Sequence, residues 1–231
     1  MGNNKLINLQ QTYDAIAAEF DITRYKPWPQ TVEFIESLPD GCSILDLGCG
    51  NGRNIKYLLD VNRGFKILGL DFSKRLLRLA QDKLRRDYTR TSTTFKLLLG
   101  DISCLPLKNN SMDAALSVAT LHHLPSAELR LHSLQELVRV LKPGGRAFIS
   151  VWDFEQERFT NELNRQLEQR PSDGEFGDVL VDWKGKRGDR YQRFYHLFYK
   201  DEFEKLLLNA KFKIDKLFRA ADNFHAIVSK N

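Results

Sequence analysis

The sequence predicts an α/β protein with a doubly wound, mostly parallel β-sheet. Two observations support this prediction. Short apolar runs that suit buried parallel strands alternate with amphipathic helical stretches between residues 44 and 152. Near the C-terminus, two further runs, 212–218 and 224–228, have the composition of an antiparallel hairpin that would close the sheet. We therefore expect one sheet of seven strands, with the last two antiparallel.

Individual elements follow from local periodicity and from glycine and proline positions. Apolar residues recur at helical spacing near the N-terminus, and Lys142-Pro143-Gly144-Gly145 is a helix-stop and turn signal. The predicted strands are 44–47, 66–71, 93–99, 112–118 and 146–152, followed by the closing hairpin. The predicted helices are 4–20, 30–38, a helix from about 53, 74–87, 127–141 and 201–210.

Composition narrows the class of protein. The chain has 231 residues, of which 42% are hydrophobic, enough for one large domain with a full core. The formal net charge of +5 fits a nucleic-acid partner or an ordinary basic enzyme. Cys42, Cys49 and Cys104 form no C-x-x-C pair, so we expect no disulfide framework, no zinc and a cytosolic location. The polar N-terminus resembles no signal peptide, and no apolar run approaches the ~20 residues of a membrane span.

The most informative stretch is the first strand and the glycines after it. Ile44–Leu47 breaks into Gly48-Cys49-Gly50-Asn51-Gly52, which predicts a tight turn between a buried strand and a helix. Asp46 and Asp71 stand at the ends of the first and second strands, where open α/β sheets bind ligands. An acid at Asp71 can accept hydrogen bonds from the two hydroxyls of a ribose. The alternatives are a turn without a ligand and an acid that caps the next helix.

The G-x-G-x-G spacing lacks the lysine of a phosphate-binding loop and departs from the dinucleotide pattern. Together with the Pro-Gly-Gly turn and the acids after three strands, it resembles class I S-adenosylmethionine-dependent methyltransferases over residues 40–152. The resemblance implies a Rossmann-like fold and S-adenosylmethionine as cofactor. It implies that the cofactor-binding residues are Tyr13, Asp46, Gly48, Cys49, Gly50, Asp71, Phe72, Asp101, Ile102 and Ala119. Tyr13 belongs to the N-terminal helix, which lids the cofactor in many small members of this class.

A stiff loop with cations and aromatic rings follows the N-terminal helix. Pro27 and Pro29 disfavour helix around Trp28, and Arg24 and Lys26 lie just before. A guanidinium group such as that of Arg24 suits a planar carboxylate or phosphate. The alternative is a rigid connector anchored by Trp28.

Two histidines, His122 and His123, follow the fourth strand, whose end faces the transferable methyl group in this fold class. Adjacent side chains diverge, so we expect at most one to face the substrate, and we favour His123. His122 is then a buried structural residue.

The alternation breaks after Asp153. Residues 155–190 are charged and show little periodicity, and we interpret them as an insertion or long loop. Five cations lie within residues 184–193, followed by Phe194-Tyr195-His196, a combination that suits phosphate contacts and base stacking. A solvated loop is equally compatible. The predicted parts of the single domain are an N-terminal lid (1–39), the cofactor-binding core (40–153), the substrate loop (154–193) and the C-terminal helix and hairpin (194–231).

The outer segments resemble one family more closely. Residues 23–29, 151–157, 193–198 and 222–228 are similar to the tRNA carboxymethyluridine methyltransferases, also found as a domain of AlkB-homologue enzymes. Residues 158–192 show no such similarity. The resemblance implies esterification of the carboxylate of 5-carboxymethyluridine at the tRNA wobble position. We expect Arg24 to hold this carboxylate and His123 or Tyr195 to direct it. The expected substrate-binding residues are Lys26, Trp28, Trp152, Arg190, Arg193 and His196.

The family also implies a small zinc-binding activator subunit that adds a strand to the sheet. The third strand is at an edge in this fold, and the added strand would pair with residues 95–99 and cover the apolar Leu97-Leu98-Leu99. The alternative is that a neighbouring helix or loop covers this edge. Two other functions fit parts of the sequence. A small-molecule O- or C-methyltransferase shares every cofactor motif. A catalytically silent RNA-binding or scaffolding module is disfavoured by the intact Asp46, Asp71 and Asp101.

Overall fold

The computed structural model describes residues 2–156, 174–185 and 188–231. Its helices are α1 (Gly2–Thr23), α2 (Pro29–Glu36), α3 (Arg53–Val61), α4 (Lys74–Asp87), α5 (Ala127–Val140) and α6 (Lys200–Asn209), with a 3-10 turn at Leu121–His123. Its strands are β1 (Ser43–Leu47), β2 (Lys66–Asp71), β3 (Thr94–Leu99), β4 (Met112–Val118), β5 (Leu141–Trp152), β6 (Asp178–Lys184), β7 (Arg190–His196), β8 (Phe212–Ala220) and β9 (Asn223–Lys230).

In the described residues, seven strands form one sheet in the order β3-β2-β1-β4-β5-β9-β8. The first five are parallel, and β9 runs antiparallel to both β5 and β8. The predicted fold class and its closing hairpin are therefore confirmed. The expected edge position of β3 is confirmed as well, because β2 is its neighbour on one side and no described strand pairs with the other.

Each face of the sheet has its own core, because alternate strand residues point to opposite faces. Ile44, Leu116 and Phe148 pack with helices α2, α3 and α4. Leu45 and Ile149, on the opposite face, pack with α5 and α6. Serine caps fix the starts of two helices. The Ser73 side chain accepts a hydrogen bond from the Leu76 amide at α4, and the Ser126 side chain accepts one from the Leu129 amide at α5.

The N-terminal helix lies across the carboxyl end of the sheet. The carboxylate of Asp14 accepts hydrogen bonds from the Ser73 hydroxyl at 2.6 Å and from the Arg75 amide at 3.0 Å, at the start of α4. Asp21 pairs with Lys83 of α4 at 2.7 Å. These contacts hold α1 against α4. The lid role that the resemblance implies for this helix stays a prediction, as do the boundaries of the four predicted parts.

A second, two-stranded sheet contradicts part of the sequence-based interpretation. Residues 178–184 were expected to be loop, but they form β6 and pair along their whole length with β7. The hairpin docks on α1, where the Trp183 indole donates a hydrogen bond to Glu19 at 3.1 Å. The remainder of the predicted insertion from 157 to 173, and the cations Lys186 and Arg187, lie outside the described residues.

Candidate active site

A cavity of about 630 Å³ opens at the carboxyl ends of the parallel strands, beneath α1 and the β6–β7 hairpin. This is where open α/β sheets bind ligands. Most of the residues predicted from the sequence line it. They are Tyr13, Arg24, Lys26, Trp28, Gly48, Cys49, Gly50, Asp71, Phe72, Asp101, Ile102, Ala119, His123, Trp152, Arg193 and Tyr195.

The glycine turn forms the cavity floor through its backbone. Gly48, Gly50 and Gly52 have φ angles of 66°, 53° and 77°, which L side chains rarely adopt. A Cβ at Gly48 would lie 2.2 Å from the Thr120 side chain, so the turn packs against Thr120 too closely for any side chain at this position. A Cβ at Gly50 would meet only the Phe20 ring, at 3.7 Å, which leaves the backbone open to a ligand.

Asp71 is held in place by the same turn. One carboxylate oxygen accepts a hydrogen bond from the Gly50 amide at 2.8 Å, and the other accepts one from the Ser73 amide at 2.8 Å. Burial raises the pKa of Asp71 to about 6, against the opposing effect of these hydrogen bonds. Each oxygen keeps a second lone pair, so the carboxylate can still accept from two hydroxyls. Asp71 therefore both shapes the turn and faces the cavity.

Asp46 does not line the cavity, so its predicted direct contact with a cofactor is corrected. It is fully buried below the turn, where one carboxylate oxygen accepts from Asn54 at 3.3 Å and the other has no partner among the described residues. Burial raises its pKa to about 7. Asn54 and Arg53, which no motif of the sequence marks, lie in the cavity wall instead.

His123 has both ring nitrogens engaged within the protein. Its Nδ1 donates to the Phe194 carbonyl at 2.9 Å, so its Nε2 accepts from the Tyr13 hydroxyl, also at 2.9 Å. Burial lowers the pKa of His123 to about 3, so the ring is neutral. This geometry corrects the expected role of His123, because neither nitrogen is left to direct a substrate oxygen. The ring positions Tyr13 and joins the lid helix to β7.

His122 is buried, as expected for the structural member of the pair. Its Nδ1 accepts from the Trp152 amide at 3.2 Å, which places the proton on Nε2. That Nε2–H has no partner among the described residues, although His122 lines the cavity. Burial lowers its pKa well below the ordinary value, so the ring offers a neutral donor.

The buried cation of the cavity is Arg193, in the middle of β7. The residue is 6% exposed, and its guanidinium donates through Nη1 to the Tyr195 hydroxyl at 2.8 Å. The guanidinium stacks over the Trp183 ring, 4.9 Å from its centroid. No carboxylate of the described residues pairs with it, and its Nε has no hydrogen-bond partner there. Tyr195 in turn stacks on Trp152 with centroids 4.1 Å apart.

Arg24 and Lys26 line the cavity from the loop after α1, in more exposed positions. The Arg24 guanidinium donates to the neighbouring Thr23 carbonyl at 3.2 Å, and Lys26 is solvent-exposed. Trp28 is half-buried, with the Arg53 guanidinium 5.2 Å above its ring. The sequence pattern does not mark Arg53 although this residue directly follows the glycine turn, because the pattern signals only the free backbone N–H groups of that helix start.

Two predicted substrate contacts lie elsewhere. Arg190 is exposed at the start of β7 and does not line the cavity. His196 is buried at the other end of β7, where Nδ1 contacts Asp178 at 2.9 Å and Nε2 contacts Glu202 at 2.7 Å. Both nitrogens are engaged by carboxylates, so His196 is a structural residue that anchors the hairpin to α6, and its expected contact with a base is corrected.

Comparison with known proteins identifies the group to which this architecture belongs. Residues 45–149 match the methyltransferase domain family. A tRNA (carboxymethyluridine(34)-5-O)-methyltransferase from Schizosaccharomyces pombe is 34% identical over 242 residues, which cover 96% of each chain. The mouse protein of this name, ALKBH8, is 39% identical over 69% of this chain, and an Arabidopsis thaliana protein of this name is 42% identical over 64%. The chain spans only 22% and 33% of the lengths of these last two relatives.

Solved structures with lower sequence identity share the fold. A SAM-dependent methyltransferase from Methanosarcina mazei is 24% identical, with a TM-score of 0.71 over 89% of this chain and 98% of its own. A Haloferax volcanii methyltransferase, solved in complex with the Trm112 methyltransferase activator, is 18% identical, with a TM-score of 0.65 over 96% of each chain. No helix of the described residues is long and apolar enough to cross a bilayer. On the near full-length similarity to the S. pombe enzyme, the chain belongs to the tRNA (carboxymethyluridine(34)-5-O)-methyltransferase family.

Proposed function

We propose that the protein transfers a methyl group from S-adenosylmethionine to the carboxylate of 5-carboxymethyluridine at the tRNA wobble position. The observation that carries this proposal is the buried, carboxylate-free guanidinium of Arg193 in the same cavity as the glycine turn. A buried cation without an anionic partner is costly, and an anionic substrate group would supply the partner. The name and near full-length identity of the S. pombe relative support the same substrate.

The residues of the cavity fit the cofactor. The exposed backbone at Gly50 would lie against its methionine part, and Asp71 would accept from its ribose hydroxyls. Asp101 and Ile102 would contact the adenine, while Tyr13 of the lid covers the site. When bound, S-adenosylmethionine supplies an electrophilic sulfonium methyl group.

The protein's own residues bind and aim the acceptor. A carboxylate has a pKa near ~4 and is ionised at neutral pH, so its attack on a methyl group needs no general base. The neutral, fully engaged His123 fits this requirement. Arg193 would bind one carboxylate oxygen and leave the other free, since binding both would stabilise the ground state and slow the reaction. Arg24, at the mouth, would add a second cation.

A tRNA acceptor also fits the surface around the mouth. Lys26 is exposed at the rim of the cavity, and Trp28 and the Trp152–Tyr195 stack offer aromatic rings near a splayed-out nucleotide. The three cysteines are free thiols, which suits the cytosol as the proposed compartment.

We further propose that a zinc-binding activator subunit pairs with β3. Leu99 at its end is 52% exposed, and Phe95, Leu97 and Leu98 are half-buried. An apolar edge strand of this kind favours strand addition. The H. volcanii neighbour, which shares the fold, was solved with a methyltransferase activator.

The test is a methylation assay with labelled S-adenosylmethionine. Two otherwise identical tRNAs would carry 5-carboxymethyluridine or unmodified uridine at the wobble position, with and without the activator subunit. We expect label only in the first tRNA, and its release by mild alkali, because carboxyl esters are alkali-labile. Cofactor binding without any tRNA labelling, even with the activator present, would contradict the proposal and favour a small-molecule acceptor.

A further inference from the structure

Two polar residues of β9, Asn223 and His225, line the cavity and take no part in the proposed binding of the cofactor and the carboxylate. They are two positions apart on one strand, so their side chains lie on the same face of the sheet. Both are buried, Asn223 being 7% exposed and His225 fully buried. Each has one hydrogen-bonding atom without a partner among the described residues, Oδ1 of Asn223 and Nδ1 of His225.

The Asn223 side chain presents an acceptor. Its Nδ2 donates to the Ala221 carbonyl, which fixes the orientation of the amide. Oδ1 is therefore the atom left unpaired in the cavity wall. A buried acceptor without a partner costs about 1–3 kcal/mol, a cost that a ligand donor would remove.

The unpaired atom of His225 is also an acceptor. Its Nε2 donates to the Ala220 carbonyl at 3.1 Å, so Nδ1 carries a lone pair. The ring is stacked between Phe148 and Phe218, with centroids 5.6 and 5.2 Å away, which prevents it from turning. Burial lowers the pKa of His225, so Nδ1 stays unprotonated.

These acceptors lie beside the proposed carboxylate site. Asn223 is directly opposite Trp152 in the antiparallel β5–β9 register, so the two side chains are neighbours on one face. Trp152 stacks on Tyr195, whose hydroxyl accepts from Arg193. His225 makes an edge contact with Trp28 at 5.9 Å. The cavity thus has unpaired donors at Arg193 and His122 and unpaired acceptors at Asn223 and His225.

We propose that Asn223 selects uracil, with its Oδ1 accepting a hydrogen bond from the N3–H of the target base. N3–H is the only donor on that edge of uracil, so one protein acceptor satisfies it. His225, which is fully buried against Trp28, supports the wall beside Asn223. This inference rests on the proposed function and extends it to base identity. Cytosine has an acceptor at ring N3, which would oppose the Asn223 oxygen. Its amine lies at the adjacent ring position and would reach Oδ1 only by moving the C5 substituent away from Arg193.

The experiment compares three anticodon stem-loop RNAs with the wild-type protein and its activator. Their wobble nucleosides are 5-carboxymethyluridine, its N3-methylated analogue and 5-carboxymethylcytidine. All keep the carboxylate. We expect kcat/KM to fall about tenfold or more for the second and third RNAs, since leaving the buried Asn223 acceptor unpaired costs about 1–3 kcal/mol. Equal rates with the N3-methylated RNA would overturn the inference without touching the proposed function. Inactivity on all three would remove the proposed function, and this inference with it.

Two variants test whether Asn223 is the residue responsible for the preference for uridine. In Asn223→Ala, the preference for uridine over cytidine should shrink about tenfold while the calorimetric affinity for S-adenosylmethionine is unchanged. Asn109→Ala is the matched control, because Asn109 is exposed, accepts from Arg139 and does not line the cavity. It should retain the full preference. An Asn223→Ala protein that binds cofactor normally and keeps the wild-type preference would overturn the inference.

Discussion

The guanidinium of Arg193 donates a 2.8 Å hydrogen bond to the hydroxyl of Tyr195, two residues along the same strand. The two side chains share one face of β7, and this face closes the cavity opposite the glycine turn. Because the Tyr195 hydroxyl accepts only one N–H, most of the donors of Arg193 remain for an anion. The pair therefore supplies a preorganised positive site that needs no rearrangement of the hairpin.

The first prediction concerns Arg193. Arg193→Ala should lower kcat/KM for the carboxymethyluridine tRNA roughly a hundredfold, since a hydrogen bond to a charged group contributes about 1.5–3 kcal/mol and each 1.36 kcal/mol is about tenfold. Arg193→Lys should recover part of the loss, because it restores the charge without the planar fork. Calorimetry should show unchanged cofactor affinity. Arg78→Ala, on the exposed face of α4, is the control and should retain wild-type kinetics.

Arg24 should contribute less to kcat/KM than Arg193 does. It is half-exposed at the mouth, where solvent screens its charge, and Arg24→Ala should cost about tenfold or less in kcat/KM. Steady-state kinetics of Arg24→Ala and Arg193→Ala show which substitution lowers kcat/KM more. A larger loss for Arg24→Ala than for Arg193→Ala would show that the clamp lies at the mouth, as expected from the sequence alone.

The affinity for S-adenosylmethionine should depend on pH through Asp71, whose pKa in the free protein is about 6. The ionised carboxylate is the better acceptor for ribose hydroxyls, so binding should lower this pKa. Affinity should therefore be constant above pH 7, and should weaken as the pH falls through 6 and the carboxyl group protonates. Calorimetry across this range checks it, and Asp71→Asn should abolish the dependence.

The pH profile of kcat should show no histidine step. His123 has a pKa of about 3 and the acceptor carboxylate titrates near ~4, so neither changes charge around neutrality. We expect a flat single-turnover rate from mildly acidic to mildly alkaline pH. A step near neutral pH that disappears in His123→Gln would show instead that this ring acts as a base.

His196 should stabilise the hairpin most at low pH. Burial opposes its charged form, but the hydrogen bonds to Asp178 and Glu202 outweigh burial and raise its pKa above 6.5. For a raised histidine pKa, the stabilisation is fully present below 6.5 and is lost as pH rises through the folded-state value. Urea unfolding should show a gap between wild type and His196→Gln that narrows at alkaline pH. A gap that widens would contradict the pairing.

Sequence patterns predicted the fold well because periodicity and glycine turns are local signals. The alternation of strands and helices and the antiparallel closing hairpin follow from them, whereas the edge position of β3 was implied by the family resemblance. The β6–β7 hairpin was missed because its strands are charged, and Leu180 and Trp183 find their neighbours only through pairing and through α1.

The candidate site was predicted in part. Residues on the glycine turn were found, since their role depends on the backbone. The depth of Asp46 and the partners of His196 depend on distant residues, and no local pattern reports them. The sequence marks Asn223 and His225 only through the family resemblance of residues 222–228. Which of their polar atoms stay unpaired depends on the hydrogen bonds to the carbonyls of Ala221 and Ala220, which only the folded structure shows.

The central claim is that a uridine carboxylate is the methyl acceptor. The most direct measurement is mass analysis of the nucleosides from tRNA carrying 5-carboxymethyluridine, after incubation with the protein, its activator and S-adenosylmethionine. We predict that the carboxymethyluridine is converted to a nucleoside heavier by one methylene unit, and that alkali restores the starting mass. Methylation at another nucleoside, or an alkali-stable product, would contradict the account.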